Sequence, residues 1–201
     1  MDKNSYALGM SIAHNMLSSG VKDIKFEDLT AGMKAILDGV EPAVSFEEAG
    51  KLLDKYFGEI EAKAQAEAQE MAKVFKQQGE DFLAENAKKE GVVVLPSGLQ
   101  YKVITEGSGK KPSATDTVRC HYCGTFIDGT KFDSSYDRNE PTEFGLNMVI
   151  PGWTEGLQLM SEGSKWELYI PYQLGYGERG AQGAIPPCSA LIFTVELIKV
   201  L

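Results

Sequence analysis

Thr117-Val118-Arg119-Cys120-His121-Tyr122 is the stretch that decides the fold. It alternates with a period of two, as a strand does when its two sides meet different surroundings. The same alternation recurs on both sides of it, at Leu99-Gln100-Tyr101-Lys102-Val103-Ile104 before and at 165–170 and 191–197 after. Turn signals divide these runs: Gly107-Ser108-Gly109, Asp128-Gly129 and Glu162-Gly163. One short helical stretch, Trp153 to Met160, interrupts them. The pattern predicts an antiparallel sheet with one helix packed on it, an α+β architecture.

Upstream the period changes from two to that of a helix. Leu8, Ile12 and Met16 mark a first helix, ended by Ser18-Ser19-Gly20. Phe26, Leu29, Met33, Ile36 and Leu37 mark a second, which stops at Gly39. Ser45-Phe46-Glu47-Glu48 is a capping box, and no proline follows it until Pro96. A long helix is therefore expected from Phe46 to between Asn86 and Glu90, roughly 60 Å at ~1.5 Å per residue. Its first zone carries an apolar stripe through Ala49, Leu52, Leu53, Tyr56, Phe57 and Ile60. The middle, 61–70, has no large apolar residue and can stand in water as a stalk. Met71, Val74, Phe75, Phe82 and Leu83 form a second apolar set, with a bend expected near Gly79.

Composition breaks where the period does. Residues 1–90 hold 11 Lys, no Arg and 17 acids, whereas 91–201 hold seven of the eight Pro, 14 of the 21 Gly, both Trp and all three Cys. Two domains follow: 1–90, an all-α arm, and 91–201, the sheet domain. Two short helices and one end of a long one make a poor core alone. A second copy would complete it as a homodimer. The alternative is that the short helices fold back on their own long helix.

The net charge of −9 argues against nucleic acid, which attracts a basic face. No apolar run approaches the roughly 20 residues of a membrane span. The first residues lack the apolar core of a secretory signal, so the cytoplasm is expected, with a periplasmic or surface form as the alternative.

Several motifs resemble chemistry they do not fit. Cys120-His121-Tyr122-Cys123 has C-x-x-C spacing, but positions i and i+3 of a strand point to opposite faces. Gly175-Tyr176-Gly177-Glu178-Arg179-Gly180 matches G-x-G-x-x-G, but Pro186-Pro187 follow where a dinucleotide fold needs a helix. His14 and His121 are isolated, and no hydrolase or zinc-protease motif is present. No cofactor or metal is implied. What stands out is a surplus of aromatic and branched residues beside glycine loops, each of which taken singly reads as core.

Taken in order they form a pattern: Val118-Arg119-x-His121-Tyr122-x-Gly124, Asp128-Gly129-Thr130-x-Phe132-Asp133-Ser134-Ser135, Val149-Ile150-Pro151-Gly152-Trp153, Tyr176-Gly177, Ile185-Pro186-Pro187 and Leu191-x-Phe193-x-Val195-Glu196-Leu197. Over about 97–201 this closely resembles the FK506-binding-protein (FKBP) family of peptidyl-prolyl cis-trans isomerases. Residues 1–90, through Tyr6-Ala7-Leu8-Gly9 and the acidic, Ala-rich helix, resemble the dimerisation region of the bacterial macrophage-infectivity-potentiator-like members.

The resemblance implies a sheet wrapped around a short helix, with a pocket between them. Trp153 would be the pocket's floor. Tyr122, Phe132, Phe144, Val149, Ile150, Tyr176, Ile185 and Phe193 would be its walls. Asp133 would be the one acid in the lining, neutralised by Arg138. The Ile150 N–H and the Tyr176 hydroxyl would bond the carbonyls flanking proline. Unfolded or nascent chains containing X-Pro, and inhibitors of the FK506 and rapamycin type, are the implied partners. Folding assistance is the implied role, with a non-catalytic prolyl-binding holdase as the alternative. Ala184, smaller than the bulky residue common there, implies a wider rim.

Overall fold

The computed structural model describes residues 1–181 and 183–201. Its elements follow the two periods. Three helices come first: α1 (Lys3–Ser18), α2 (Phe26–Leu37) and α3 (Phe46–Asn86). Strands β1 (Val92–Val94), β2 (Gln100–Thr105), β3 (Thr117–Phe126), β4 (Lys131–Ser134) and β5 (Thr142–Gly145) precede the short helix α4 (Pro151–Leu157). Strands β6 (Lys165–Ile170) and β7 (Leu191–Val200) complete the chain. The chain divides into two compact units within α3, Met1–Glu67 and Ala68–Leu201.

In the first unit the helix signals are realised as hydrogen bonds. Asp2 caps α1 by accepting the Ser5 N–H at 2.7 Å, and Ser45 caps α3 by accepting the Glu48 N–H at 3.1 Å. Val21 is the one buried residue among 1–67. Leu17, Phe26, Leu37, Phe46, Leu52 and Leu53 are all exposed.

In the second unit α3 stays helical through Gly79. Gly79 is buried, and a Cβ there would stand 3.0 Å from the Ala190 methyl. The helix face that meets the sheet domain runs through Ala72, Phe75, Gly79, Phe82, Leu83 and Asn86, all at least half-buried. Met71 and Val74 of the expected apolar set lie outside that face and are exposed. The buried Asn86 side chain donates to Gln100 Oε1 at 3.0 Å, and Gln100 Nε2 donates to the Leu83 carbonyl at 2.8 Å. These bonds tie the helix end to the first residue of β2.

The sheet runs in the order β1-β2-β6-β7-β3-β4, with β5 beside β3, and every pairing is antiparallel. Strands β3 and β4 turn at Gly129, which has φ +86, while Thr130 N–H bonds Asp128 Oδ1 at 2.8 Å. Helix α4 packs on the core face of the sheet. Two glycines one turn apart let it approach: a Cβ on Gly152 would meet Ile170 Cγ2 at 2.7 Å, and one on Gly156 would meet Leu168 at 3.1 Å. Trp153, Leu157, Leu168, Ile170, Phe193, Val195 and Leu197 fill the space between helix and sheet. Of the strands, β1, β4 and β5 carry no strong alternation and were not expected. Each has only three or four residues, too few for the pattern to register.

Candidate active site

Between α4 and the sheet a cavity of about 310 Å³ opens to solvent. Strand β3 supplies Tyr122, β4 supplies Phe132 and Asp133, β5 supplies Thr142 and Phe144, and β7 supplies Phe193. The turn before α4 supplies Met148, Val149 and Ile150, and α4 supplies Trp153. Tyr176 closes the set from the loop after β6. Nine of the ten residues singled out from the sequence line this cavity. Ile185 does not: it is buried in the core cluster, with its backbone bridged to Ala181. Thr142 and Met148 line the cavity without having been foreseen. Thr142 lies in a strand too short to alternate, and Met148 is an exposed methionine on a single turn.

The aromatic rings hold one another in fixed orientations. Trp153 has its ring centroid 5.2 Å from Tyr122, 5.1 Å from Phe144 and 5.1 Å from Phe193. Phe132 meets Phe193 edge-on at 5.5 Å and Phe126 at 4.9 Å. Edge-to-face contacts place the positive rim of one ring on the negative face of the next, so the cage is preorganised as well as apolar.

One charged cluster borders it. Tyr122 Oη donates to Asp133 Oδ2 at 2.6 Å, Arg138 Nη1 donates to Asp133 Oδ1 at 2.7 Å, and Arg138 Nη2 donates to Tyr122 Oη at 2.8 Å. Desolvation pushes the Asp133 carboxyl up, but the hydrogen bonds from Tyr122 and Arg138 outweigh it and hold the group below the usual carboxylate range. Desolvation, then the bond to Asp133, raises Tyr122; desolvation and the Asp133 charge raise Tyr176. Both phenols are therefore neutral donors at physiological pH. Among the described residues, the Ile150 N–H and the Tyr176 hydroxyl have no hydrogen-bond partner.

The remaining motifs settle elsewhere. Cys120 is buried in the core and its thiol is pushed up to about 12 by burial, so it offers no thiolate. The G-x-G-x-x-G stretch forms turns after a single 3-10 turn, Tyr172–Leu174, with no helix following among the described residues.

Residues 108–198 match the family described as FKBP-type peptidyl-prolyl cis-trans isomerase, and residues 1–103 match its associated amino-terminal domain. The chain belongs to the FKBP-type peptidyl-prolyl cis-trans isomerases. It is 47% identical over 197 residues to the FKBP-type 22 kDa peptidyl-prolyl cis-trans isomerase of Escherichia coli, covering 98% of this chain and 94% of that one. It is 44% identical over 199 residues to the outer membrane protein MIP of Legionella longbeachae, covering 99% and 85%. The crystal structure of FkpA from Escherichia coli superposes with a TM-score of 0.74 at 38% identity, covering 98% of this chain and 95% of that one.

This isomerase acts on X-Pro peptide bonds and assists folding, and its family takes proline-containing chains and FK506-type ligands. The expected cytoplasmic location is corrected by the same comparisons: a relative aligned over nearly the whole chain is named an outer membrane protein. The expectation rested on the composition of the first residues, which does not decide a compartment.

The chemistry suits a dry cage. An X-Pro bond turns slowly because amide resonance gives its C–N bond double-bond character. Resonance separates charge in the planar form, which water stabilises. The twisted form has lost that resonance and is less polar. A water-poor aromatic cavity therefore raises the planar state more than the twisted one, while neutral donors such as the Ile150 N–H can hold the flanking chain in place.

Proposed function

We propose that the cavity floored by Trp153 is the site at which the prolyl ring is held and its preceding bond turns. The observation that carries this reading is the preorganised aromatic cage with unpartnered donors along its lining, the Ile150 N–H, the Tyr176 hydroxyl and the Trp153 indole N–H among them. Tyr122, Phe132, Phe144, Val149 and Phe193 form the walls; Asp133 orients Tyr122 and is neutralised by Arg138. Ile185 acts from behind, by supporting the loop that ends at Pro186-Pro187.

The functional division is placed at 90/91, with 1–90 as a dimerisation arm and 91–201 as the isomerase domain. Support for the arm's role comes from its exposed apolar residues. One buried residue among 67 cannot stabilise a fold alone, while Leu52, Leu53 and Phe57 on α3 leave an open apolar face beside a cavity of about 630 Å³. A second copy of the same chain covers that face. Two cavities on one dimer then raise the effective concentration of prolyl sites around an unfolded client, which gives the protein a chaperone role beyond catalysis.

The test compares two readouts on one client: the rate of its proline-limited refolding and its aggregation during refolding. Full-length protein accelerates the first and suppresses the second. Phe132→Tyr and Asp133→Leu lose the acceleration and keep the suppression. Equal acceleration by the wild type and both variants would place the chemistry outside this cavity.

A further inference from the structure

Strand β3 has a gap along one edge. Residues Thr117 to Cys120 pair with β5 on that side, and Cys123 to Thr125 pair with β4. His121 and Tyr122 fall between, opposite neither strand, although both pair with β7 on the other side. Tyr122 carries the hydroxyl that meets Asp133 and Arg138, so its backbone N–H and C=O lie unpaired by the ladder at the point where the site needs a fixed ring.

Ser135 fills the gap. It follows the last residue of β4 and is fully buried. Its own N–H continues the ladder by donating to the Tyr122 carbonyl at 3.0 Å. Its carbonyl does not: it turns away to accept the Glu140 N–H at 3.3 Å, which starts the loop bearing Arg138. The Ser135 hydroxyl takes the carbonyl's place and accepts the Tyr122 N–H at 2.8 Å. The same Oγ lies 3.2 Å from the Tyr122 carbonyl and 2.9 Å from His121 Nδ1, so its single proton has an acceptor in either direction. A side chain thus replaces one backbone rung, freeing the chain to turn toward Arg138 while Tyr122 stays clamped.

We infer that Ser135 is a positioning residue for the isomerase reaction: its hydroxyl fixes the Tyr122 backbone, and through it the Tyr122–Asp133–Arg138 cluster at the mouth of the cavity. Ser135→Ala removes the acceptor of the half-buried Tyr122 N–H without adding volume. Tyr122 then re-pairs only by shifting, and its hydroxyl leaves Asp133. The inference rests on the proposal that Tyr122 belongs to the prolyl site.

The experiment is a double-mutant cycle on the full-length protein, read as kcat/KM for an X-Pro peptide. Tyr122→Phe alone tests the site, and Ser135→Ala, alone and in the Tyr122→Phe background, tests the inference. Ser135→Ala is expected to lower kcat/KM about tenfold, as loss of one half-buried hydrogen bond would. In the Tyr122→Phe background the further fall should be under about twofold, because coupled residues are non-additive. Ser135→Thr, which keeps the hydroxyl, should restore most of the rate, and Ser135→Cys, a poor acceptor in nearly the same volume, gives the same comparison should the alanine variant not fold.

Full additivity of the two substitutions, or wild-type activity in both Ser135→Ala and Ser135→Cys, overturns the inference while leaving the site intact. Wild-type activity in Tyr122→Phe removes the site reading and this inference with it.

Discussion

Gly79 in α3 lies against Ala190: a Cβ built on the glycine would sit 3.0 Å from the alanine methyl and 3.5 Å from its backbone nitrogen. The helix therefore meets the loop after Pro186-Pro187 so closely that a side chain at 79 would require the Ala190 methyl to give by a few tenths of an ångström. An ordinary helix position gains roughly 0.5–1 kcal/mol when glycine is replaced by alanine. Here the helical gain is opposed by contact with a neighbour that includes backbone. Gly79→Ile adds further branches beyond a Cβ that already crowds Ala190 and is expected to cost about 1–3 kcal/mol by overpacking. Denaturant unfolding of the full chain measures it; an unchanged midpoint would show that the helix does not press on the loop.

Ile150 offers a way to remove one donor cleanly. Its φ is −60° and the residue before it is extended, both of which proline accepts. Ile150→Pro deletes the unpartnered N–H without straining the backbone. Measured against Ile150→Ala, which keeps the N–H and loses the side chain, it should lower kcat/KM a further two- to tenfold, the range of one hydrogen bond. Equal rates in the two variants would exclude the N–H from substrate binding.

Asp133 sets the acid limit. Its carboxyl is held low by Tyr122 and Arg138 against desolvation. The charged form is complete above the ordinary carboxyl value of about 3.9, and its contribution is lost only as pH falls through the lower folded value. Activity should be flat from pH 8 down to 5. Arg138→Leu removes the cation and one donor, leaving desolvation less opposed, so the acid fall should move to higher pH. A kcat/KM profile whose acid limb is the same in both proteins would separate Arg138 from the cluster.

The arm's exposed apolar face makes the assembly prediction. Light scattering should give a dimer for the full chain and for residues 1–90, and a monomer for 91–201. Leu53→Glu, which places a charge on a half-exposed apolar position of α3, should shift the full chain toward monomer. Isomerisation of short peptides should survive that change, while refolding of long clients slows. A monomer at micromolar concentration for the wild type would remove the dimer.

How much of this was legible beforehand depends on how much each residue repeats. The long strands β3, β6 and β7 alternate over six residues or more and could be read; β1, β4 and β5 are too short for alternation to register. Phe132 and Phe144, on those short strands, could be placed only through ordered motifs matching a family. Gly79 reads as a helix weakener in one dimension, since its partner Ala190 is distant in sequence. Ser135 is similar: a serine after Asp133-Ser134 carries no local sign that its hydroxyl will replace a rung of a strand 13 residues earlier. Tertiary closeness, and not propensity, decides such positions.

The most direct test of the central claim is occupancy of the cavity against isomerase rate. FK506 is titrated into the full-length protein while the Trp153 indole resonance is followed by NMR and X-Pro isomerisation is measured in the same samples. The account predicts that the Trp153 shift and the loss of rate saturate together at one ligand per chain. Isomerisation that persists with the Trp153 resonance fully shifted would contradict it.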